Sequence, residues 1–519
     1  MKKMMALLLS LLIFVISFSL VACDEVKKSE EETAEETTEV VETDFSTPDE
    51  FTLAIALTDS LNPYTCKSKQ NLILSTLIYD SLITLNNNFE PEYRIAKVFS
   101  ETGKECRVIL KSGVRFSNGD FVTADDVVYS FNQAKKSGRY DGVFDNVTAA
   151  GAVSGDVIFT LKNPDPYFKN LLTFPIIQNR SKDKKTSNGR ITAPVGSGMY
   201  KYNYTADEQT LILNGYYNLT KLPNIKKIRL EDTPDNGAME YAVSTDKISA
   251  WYTEFDDTLP DRIDGEVAQI NTSNLFYIGL NQRNEALKEA KVRRAISFAI
   301  DRSYICDKLY YEKSIAATGL FHPDFYDADL SHKEFYSLQI DKAVEELKEI
   351  GYNNSSSEGV VSKDGKELSL ELLVNKNNKL KVQLANTIKE ELRLAGITVK
   401  VKSVSFDTFM KLVNTCSYDM YIGEIKLGNN LDLTPILDNE KTTANGILSD
   451  GCYKKYRQLQ LNKITQTKFM TYFEKRMPVI PLFYKCGLFS YSSAISGQTS
   501  SAQSNIFSGI ENWIYNGAN

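Results

Sequence analysis

The chain has 519 residues, of which 42% are hydrophobic and 24% charged. That is roughly three to four times a typical single domain, so two or more packed units are expected, and a collagen, a wholly disordered chain and a polytopic membrane protein are excluded. The formal charge of −7 sits in one stretch: residues 24–50 carry twelve acidic and two basic groups, which leaves 55 acids against 56 bases in residues 51–519. A nearly neutral body argues against nucleic-acid binding, which usually brings a basic surplus.

Residues 1–22 place Lys2 and Lys3 before an apolar run from Met4, the charged and apolar regions of an export signal. A retained transmembrane anchor is the other reading of such a run. Its end, Leu20-Val21-Ala22-Cys23, resembles the lipobox of bacterial lipoproteins, which implies lipidation of Cys23. Two or three acyl chains, at ~0.8 kcal/mol per buried CH₂, would hold the body to a bilayer. Residues 23–50 are rich in Glu and Thr and cannot bury enough surface to offset their ordering entropy, so they read as an extended acidic tether. Six further cysteines and no CxxC motif predict mostly free, buried thiols with at most one bridge.

Folded structure is expected to start with the alternating strand Phe51–Ala56, ended by the turn-rich Asp59-Ser60-Leu61-Asn62-Pro63. A helix follows over Ser68–Tyr79, then short strands at Leu82–Leu85 and Cys106–Leu110. Thr123-Ala124-Asp125-Asp126 reads as an N-cap with first-turn acids, opening a helix through Lys136. From Val157 to Leu230 the pattern is short strands with Gly and Pro breaks. A second α/β run starts at the strand Phe276–Asn281. It continues through helices Lys291–Ile300 and Asp341–Ile350, the strand Ser369–Val374, the helix Lys379–Ala395 closed by Gly396, and the strand Thr398–Val404. The strand Val479–Phe483 and a tail containing Trp513 come last. The rhythm predicts an α/β protein with mixed sheets flanked by helices. Val292, Ala295, Ile296 and Ala299 form a buried stripe, which places Arg293 and Arg294 on the solvated side.

Several stretches, in order along the chain, are similar to the extracellular solute-binding proteins of family 5, the peptide- and nickel-type receptors of ABC importers. They are Asp59–Pro63, Leu77-Ile78-Tyr79-Asp80-Ser81-Leu82, Leu110–Gly119 running into Thr123–Ser130, Pro194-Val195-Gly196-Ser197-Gly198-Met199-Tyr200, Gly279-Leu280-Asn281 with Val292–Arg302, and Pro478-Val479-Ile480-Pro481-Leu482. Residue by residue these motifs read as turns, caps and core, and they identify the fold. The resemblance implies a two-lobed clamp of the type II periplasmic-binding-protein kind: lobe one from 51–270 and a return of 484–519, lobe two from 271–483. Ligand would enter the cleft between them, and the lobes would close on it about a hinge.

By the same resemblance, peptide contacts come from the loop Leu57, Thr58 and Asp59 and from a late lobe-two strand containing Gly423, Glu424 and Lys426. Extended peptides pair with such edges main chain to main chain. Receptors of this family carry an Ala-Asp-Tyr pattern in that strand, from which this sequence departs; Glu424 or Asp432 would supply the carboxylate for a peptide amino group, or Lys426 would meet an anion. A solvated or lobe-bridging charge is the alternative for each. Trp251 and Tyr252, near the crossing between lobes, are candidates for an apolar wall, as is Tyr64; core packing is the alternative.

The function implied is a lipid-anchored monomeric receptor on the outer face of the bacterial cytoplasmic membrane. It would capture short peptides and deliver them to permease subunits driven by a separate ATPase, without cofactor, metal or chemistry of its own. The alternatives are a receptor for a nickel chelate or another non-peptide solute, and a signalling lipoprotein that senses peptides. His322 and His332, the two histidines, read as exposed loop residues, and neither an HExxH nor a Walker-type motif occurs.

Overall fold

The first strand, Thr52–Ile55, is buried at every position. Both of its faces are covered, Leu53 and Ile55 by a large core with Phe51, and Ala54 by a small one with Trp251, and both of its edges are occupied. Lys227–Asp232 pairs with it in parallel on one side, and Ser249 exchanges hydrogen bonds with Thr52 on the other. Gln209–Leu213 and Tyr200–Tyr204 complete this four-stranded sheet. The computed structural model describes residues 50–517 apart from 186–191, 206–207, 234–238, 246, 256–265, 358, 439–445, 449–450 and 499. The export signal, Cys23 and the acidic tether lie outside the described residues.

The helix Lys69–Ile78 is capped by Ser68, whose hydroxyl accepts from the Asn71 N–H. Gly196 and Gly198 lie against the end of this helix. A Cβ on Gly198 would come 2.3 Å from the Leu77 carbonyl oxygen, and one on Gly196 2.2 Å from that of Ile78. Only a residue without a side chain allows this approach. A second sheet, Ala96–Thr102, Glu105–Leu110, Asp156–Leu161 and Val147–Val153, packs under the helix Ala124–Lys136. The Thr123 N–H donates to Asp126 Oδ2 at 2.8 Å, the cap expected from the sequence.

The largest sheet has seven strands, ordered Ala250–Glu254, Val479–Tyr491, Glu266–Leu280, Met420–Lys426, Ser369–Asn375 and Thr398–Val404, with Ser314–Ala316 also paired to the 479–491 strand. The strands of 15 and 13 residues at its centre run much further than the apolar runs Phe276–Asn281 and Val479–Phe483 suggest. The reason is the polar segment Asn271–Asn274, which is buried because each side chain finds a partner: Thr272 Oγ1 donates to the Lys485 carbonyl and Ser273 Oγ to that of Leu427.

These two strands join two apolar cores. Ile270 and Phe489 belong to the core that holds Phe51, Phe131, Phe174 and Trp513. Leu275–Ile278 and Val479–Tyr484 belong to the core that holds Ile296, Leu384 and Phe473. The pairing register shifts between Asn271 and Leu275, at the crossing itself. Two antiparallel strands with a local irregularity are where a clamp of two lobes would bend. A second joint is Phe89, on the turn between Ile83–Leu85 and Pro91–Tyr93, which packs into the lobe-two core beside His322 and Phe325.

Two sequence expectations need correction here. Arg293 is fully buried: its guanidinium donates to the carbonyl oxygens of Leu287, Lys288, Arg476 and Met477, so the charge is solvated by backbone. Arg294 is half-buried and pairs with Glu346 at 2.6 Å. His322 is buried rather than exposed, with Nδ1 accepting from the Asp324 N–H at 3.0 Å. His332 lies in the short helix Leu330–Tyr336 and contacts Glu474 at 2.9 Å. Cys66, Cys106, Cys306, Cys416, Cys452 and Cys486 are free thiols, all buried except the half-buried Cys416.

Candidate functional site

A cluster of five charges sits where the long strands cross between the cores. Glu424 is in register with Phe276 on the central strand, and Lys426 with Asn274. Glu424 Oε1 accepts from Lys485 Nζ at 2.9 Å and Asn274 Nδ2 at 2.7 Å, and Oε2 lies 2.6 Å from Lys381 Nζ, in the first turn of the helix Lys379–Leu394. Glu254 Oε1 accepts from Lys426 Nζ at 2.6 Å, and its Oε2 is 3.7 Å from Lys485 Nζ. Burial alone would raise the Glu424 carboxyl; the Lys381 and Lys485 ammoniums outweigh it and hold the group at about 2. Glu254 is likewise lowered, with Lys426 outweighing burial. The Lys381 ammonium also lies 5.2 Å from the centre of the Phe276 ring.

A cavity of about 240 Å³ opens between the two lobes beside this cluster. Thr76, Asp80, Arg139 and Tyr140 line it from lobe one, Lys426 and Asn429 from lobe two, and Gln503 from the C-terminal segment. Polar contacts join the lobes around it. Asn429 Nδ2 donates to Thr173 Oγ1 at 3.0 Å, Asn430 Nδ2 to the buried Asp165 at 2.7 Å, and Gln503 accepts from the Ser273 N–H at 2.8 Å. Burial raises the Asp165 carboxyl to about 6.

The structure brings only part of the sequence-predicted set to this place. Lys426 lines the cavity and Glu424 stands behind it, both as members of the charge cluster. Leu57, Thr58 and Asp59 form a loop elsewhere. The Leu57 N–H donates to Asp232 Oδ1, Thr58 is exposed, and Asp59 Oδ2 accepts from the N–H groups of Lys67 and Ser68 at 2.7 Å each. Those amide bonds outweigh partial burial and lower the Asp59 carboxyl. Tyr64 is buried with its hydroxyl on the Pro175 carbonyl. Trp251 is buried in a small core with Met239, Val243 and Ile248. Tyr252 stands over Gly487 across the strand pair, and burial raises its hydroxyl pKa. Gly423 lies under the Tyr277 ring, where a Cβ would approach to 2.4 Å. Asp432 Oδ1 accepts from the Thr434 N–H at 3.1 Å, just before the short helix Thr434–Leu437, and from the Tyr456 hydroxyl at 3.0 Å.

Sequence reasoning missed Glu254, Asn274, Lys381, Lys485 and Arg139. One signal was available: Lys485 is the lone charge in the apolar run from Val479 to Phe489, and a lysine in such a run requires a partner. Its partners come from three distant segments, which no local pattern links. Among the described residues, no group of three or more His, Cys, Asp or Glu is placed to hold a metal ion.

This architecture matches known proteins. The family described as bacterial extracellular solute-binding proteins, family 5, matches at residues 90–443. The oligopeptide-binding protein AppA of Bacillus subtilis is 24% identical over 67% of this chain and 67% of its own length. The nickel-binding periplasmic protein of Escherichia coli is 26% identical over 68% of this chain and 71% of its own. The crystal structure of NikA from Brucella suis in complex with Fe(III)-EDTA superposes with a TM-score of 0.68 at 19% identity, covering 90% of this chain and all of that one. Two lobes of mixed sheet flanked by helices, joined by paired strands, are the type II periplasmic-binding-protein clamp. The chain belongs to the bacterial extracellular solute-binding proteins of family 5, the solute receptors of ABC importers.

Proposed function

We propose that this chain captures short peptides in the cleft between its lobes and hands them, unaltered, to permease subunits powered by a separate ATPase. Lobe one would comprise residues 51–270 and 484–519, and lobe two 271–483. Lipidated Cys23 would hold the monomer to the outer face of the membrane through the acidic tether. The observation that carries the reading is the cavity lined from both lobes, with Arg139 and Tyr140 on one side and Lys426 and Asn429 on the other. A solute there contacts both lobes only when they are closed, so it stabilises the closed form. Similarity to an oligopeptide-binding protein favours peptides among solutes.

The second reading, a metal-chelate receptor, draws on similarity to a nickel-binding protein. Both histidines stand away from the cavity, His322 buried against Phe89 and His332 on Glu474, so the chelator would have to supply the metal's ligands. Native mass spectrometry of freshly purified protein, followed by denaturing release, tests the choice. A mixture of short peptides supports the proposal; a metal chelate, a sugar or a small organic acid overturns it.

A further inference from the structure

The charge count around the cavity decides which end of a ligand it reads. Glu424 and Glu254 carry two negative charges, and Lys381, Lys426 and Lys485 three positive ones. Both oxygens of Glu424 are occupied by ammoniums, and both oxygens of Glu254 face one. Exposure differs sharply across the cluster. The side chain of Lys426 is 51% exposed, against 22% for Glu424 and 12% for Lys485. The group that the cluster presents to the cleft is therefore an ammonium, backed by a net charge of one.

Lobe one adds a cation of its own to the lining, Arg139. Arg139 donates to the Cys66 carbonyl at 2.9 Å and meets no carboxylate among the described residues. Asp80 is the one carboxylate lining the cavity among the described residues, and Arg94 holds both of its oxygens, at 3.1 and 2.8 Å. Among the described residues, Asp80, Glu254 and Glu424 thus each have their cation, and the buried Asp165 is satisfied by Asn430, while each lobe contributes a cation to the lining that can take a further anion. An ammonium brought to the strand Met420–Lys426 would meet Lys426 first and would have to displace a lysine to reach Glu424 or Glu254.

We infer that the charge cluster at the lobe crossing reads an anion: a peptide in this cleft is held by a carboxylate between Lys426 and Arg139, and its amino group goes unread at Glu424. This rests on the peptide reading above. A carboxylate between the two lobes' cations would also favour closure, since only the closed form brings both to it.

The test compares three pools of short random-sequence peptides, with free ends, N-acetylated and C-amidated, by calorimetry on the full chain freed of bound solute. Acetylation should leave affinity within about threefold, and amidation should weaken it at least ~10-fold, the scale of one lost charge-assisted contact. Lys426→Gln should weaken the free pool to the level of the amidated one and abolish the difference between them, while Lys426→Arg retains it. Acetylation weakening binding more than amidation, or an amidation penalty unchanged in Lys426→Gln, overturns the inference and leaves the peptide reading standing. Failure of all three pools to bind overturns both.

Discussion

Lys485 donates to Glu424 at 2.9 Å from the far side of the central strand, with Phe276 of that strand lying beneath the pair. Lys485 sits on one of the two strands that cross between the cores and Glu424 on the strand beside them, so the crossing is lined with paired charge. Glu424 is the keystone, because it holds two lysines that otherwise repel each other.

Glu424→Gln should destabilise the protein by about 3 kcal/mol at neutral pH, the worth of a carboxyl lowered from the ordinary range to about 2. The folded-state value is depressed, so this contribution is full above the unfolded value near 4.5 and is lost as pH falls towards 2. Urea midpoints of wild type and variant should converge across that window. A constant gap would mean that Glu424 acts through packing alone.

Burial lowers the His322 imidazole to about 3, so the native state holds it neutral between Phe89 and Tyr484. As pH falls from 6.5 the unfolded chain takes up a proton that the folded chain refuses, and stability declines until about 3. At pH 5 the loss is about 2 kcal/mol relative to pH 8. In His322→Leu this component vanishes. Unfolding free energies of wild type and variant at the two pH values check the difference.

The adjacent arginines should separate cleanly. Arg293→Ala strips four backbone carbonyls of their buried donor and is expected to cost about 3–5 kcal/mol. Arg294→Ala removes a mostly buried, bidentate pair with Glu346 and one bond to the Lys475 carbonyl, contacts that keep some access to water, and should cost less, about 1–2 kcal/mol. Denaturant titration of both variants reads the contrast.

Helix caps and stops were legible in the sequence, as at Thr123 with Asp126 and at Gly396, because their chemistry is local. So was the two-lobed clamp, through motifs such as Pro194–Tyr200, whose glycines the helix end requires. Arg293 was misread because helical periodicity sees one buried face, whereas the Ala290–Phe298 helix is also covered by the turn at Arg476 and Met477. The site was legible only in part. The strand with Glu424 and Lys426 could be singled out, but the charges that occupy it arrive from residues 254, 381 and 485, and long-range pairing leaves no trace in local spacing.

Gly423→Ala distinguishes a packing role from ligand contact. The new methyl would collide with the Tyr277 ring, so the variant should lose about 1–3 kcal/mol of stability by thermal or urea unfolding. Gly279 has the reciprocal relation with Tyr421 in the same register, and Gly279→Ala should behave alike.

Hydrogen–deuterium exchange with and without the solute released from the purified protein tests the clamp most directly. Added back, that solute should slow exchange at once in the helix Lys69–Ile78 and the segment around Tyr140 of lobe one, and in the strand Met420–Lys426 of lobe two. Protection confined to one lobe, or none at all, would contradict a ligand enclosed between the two.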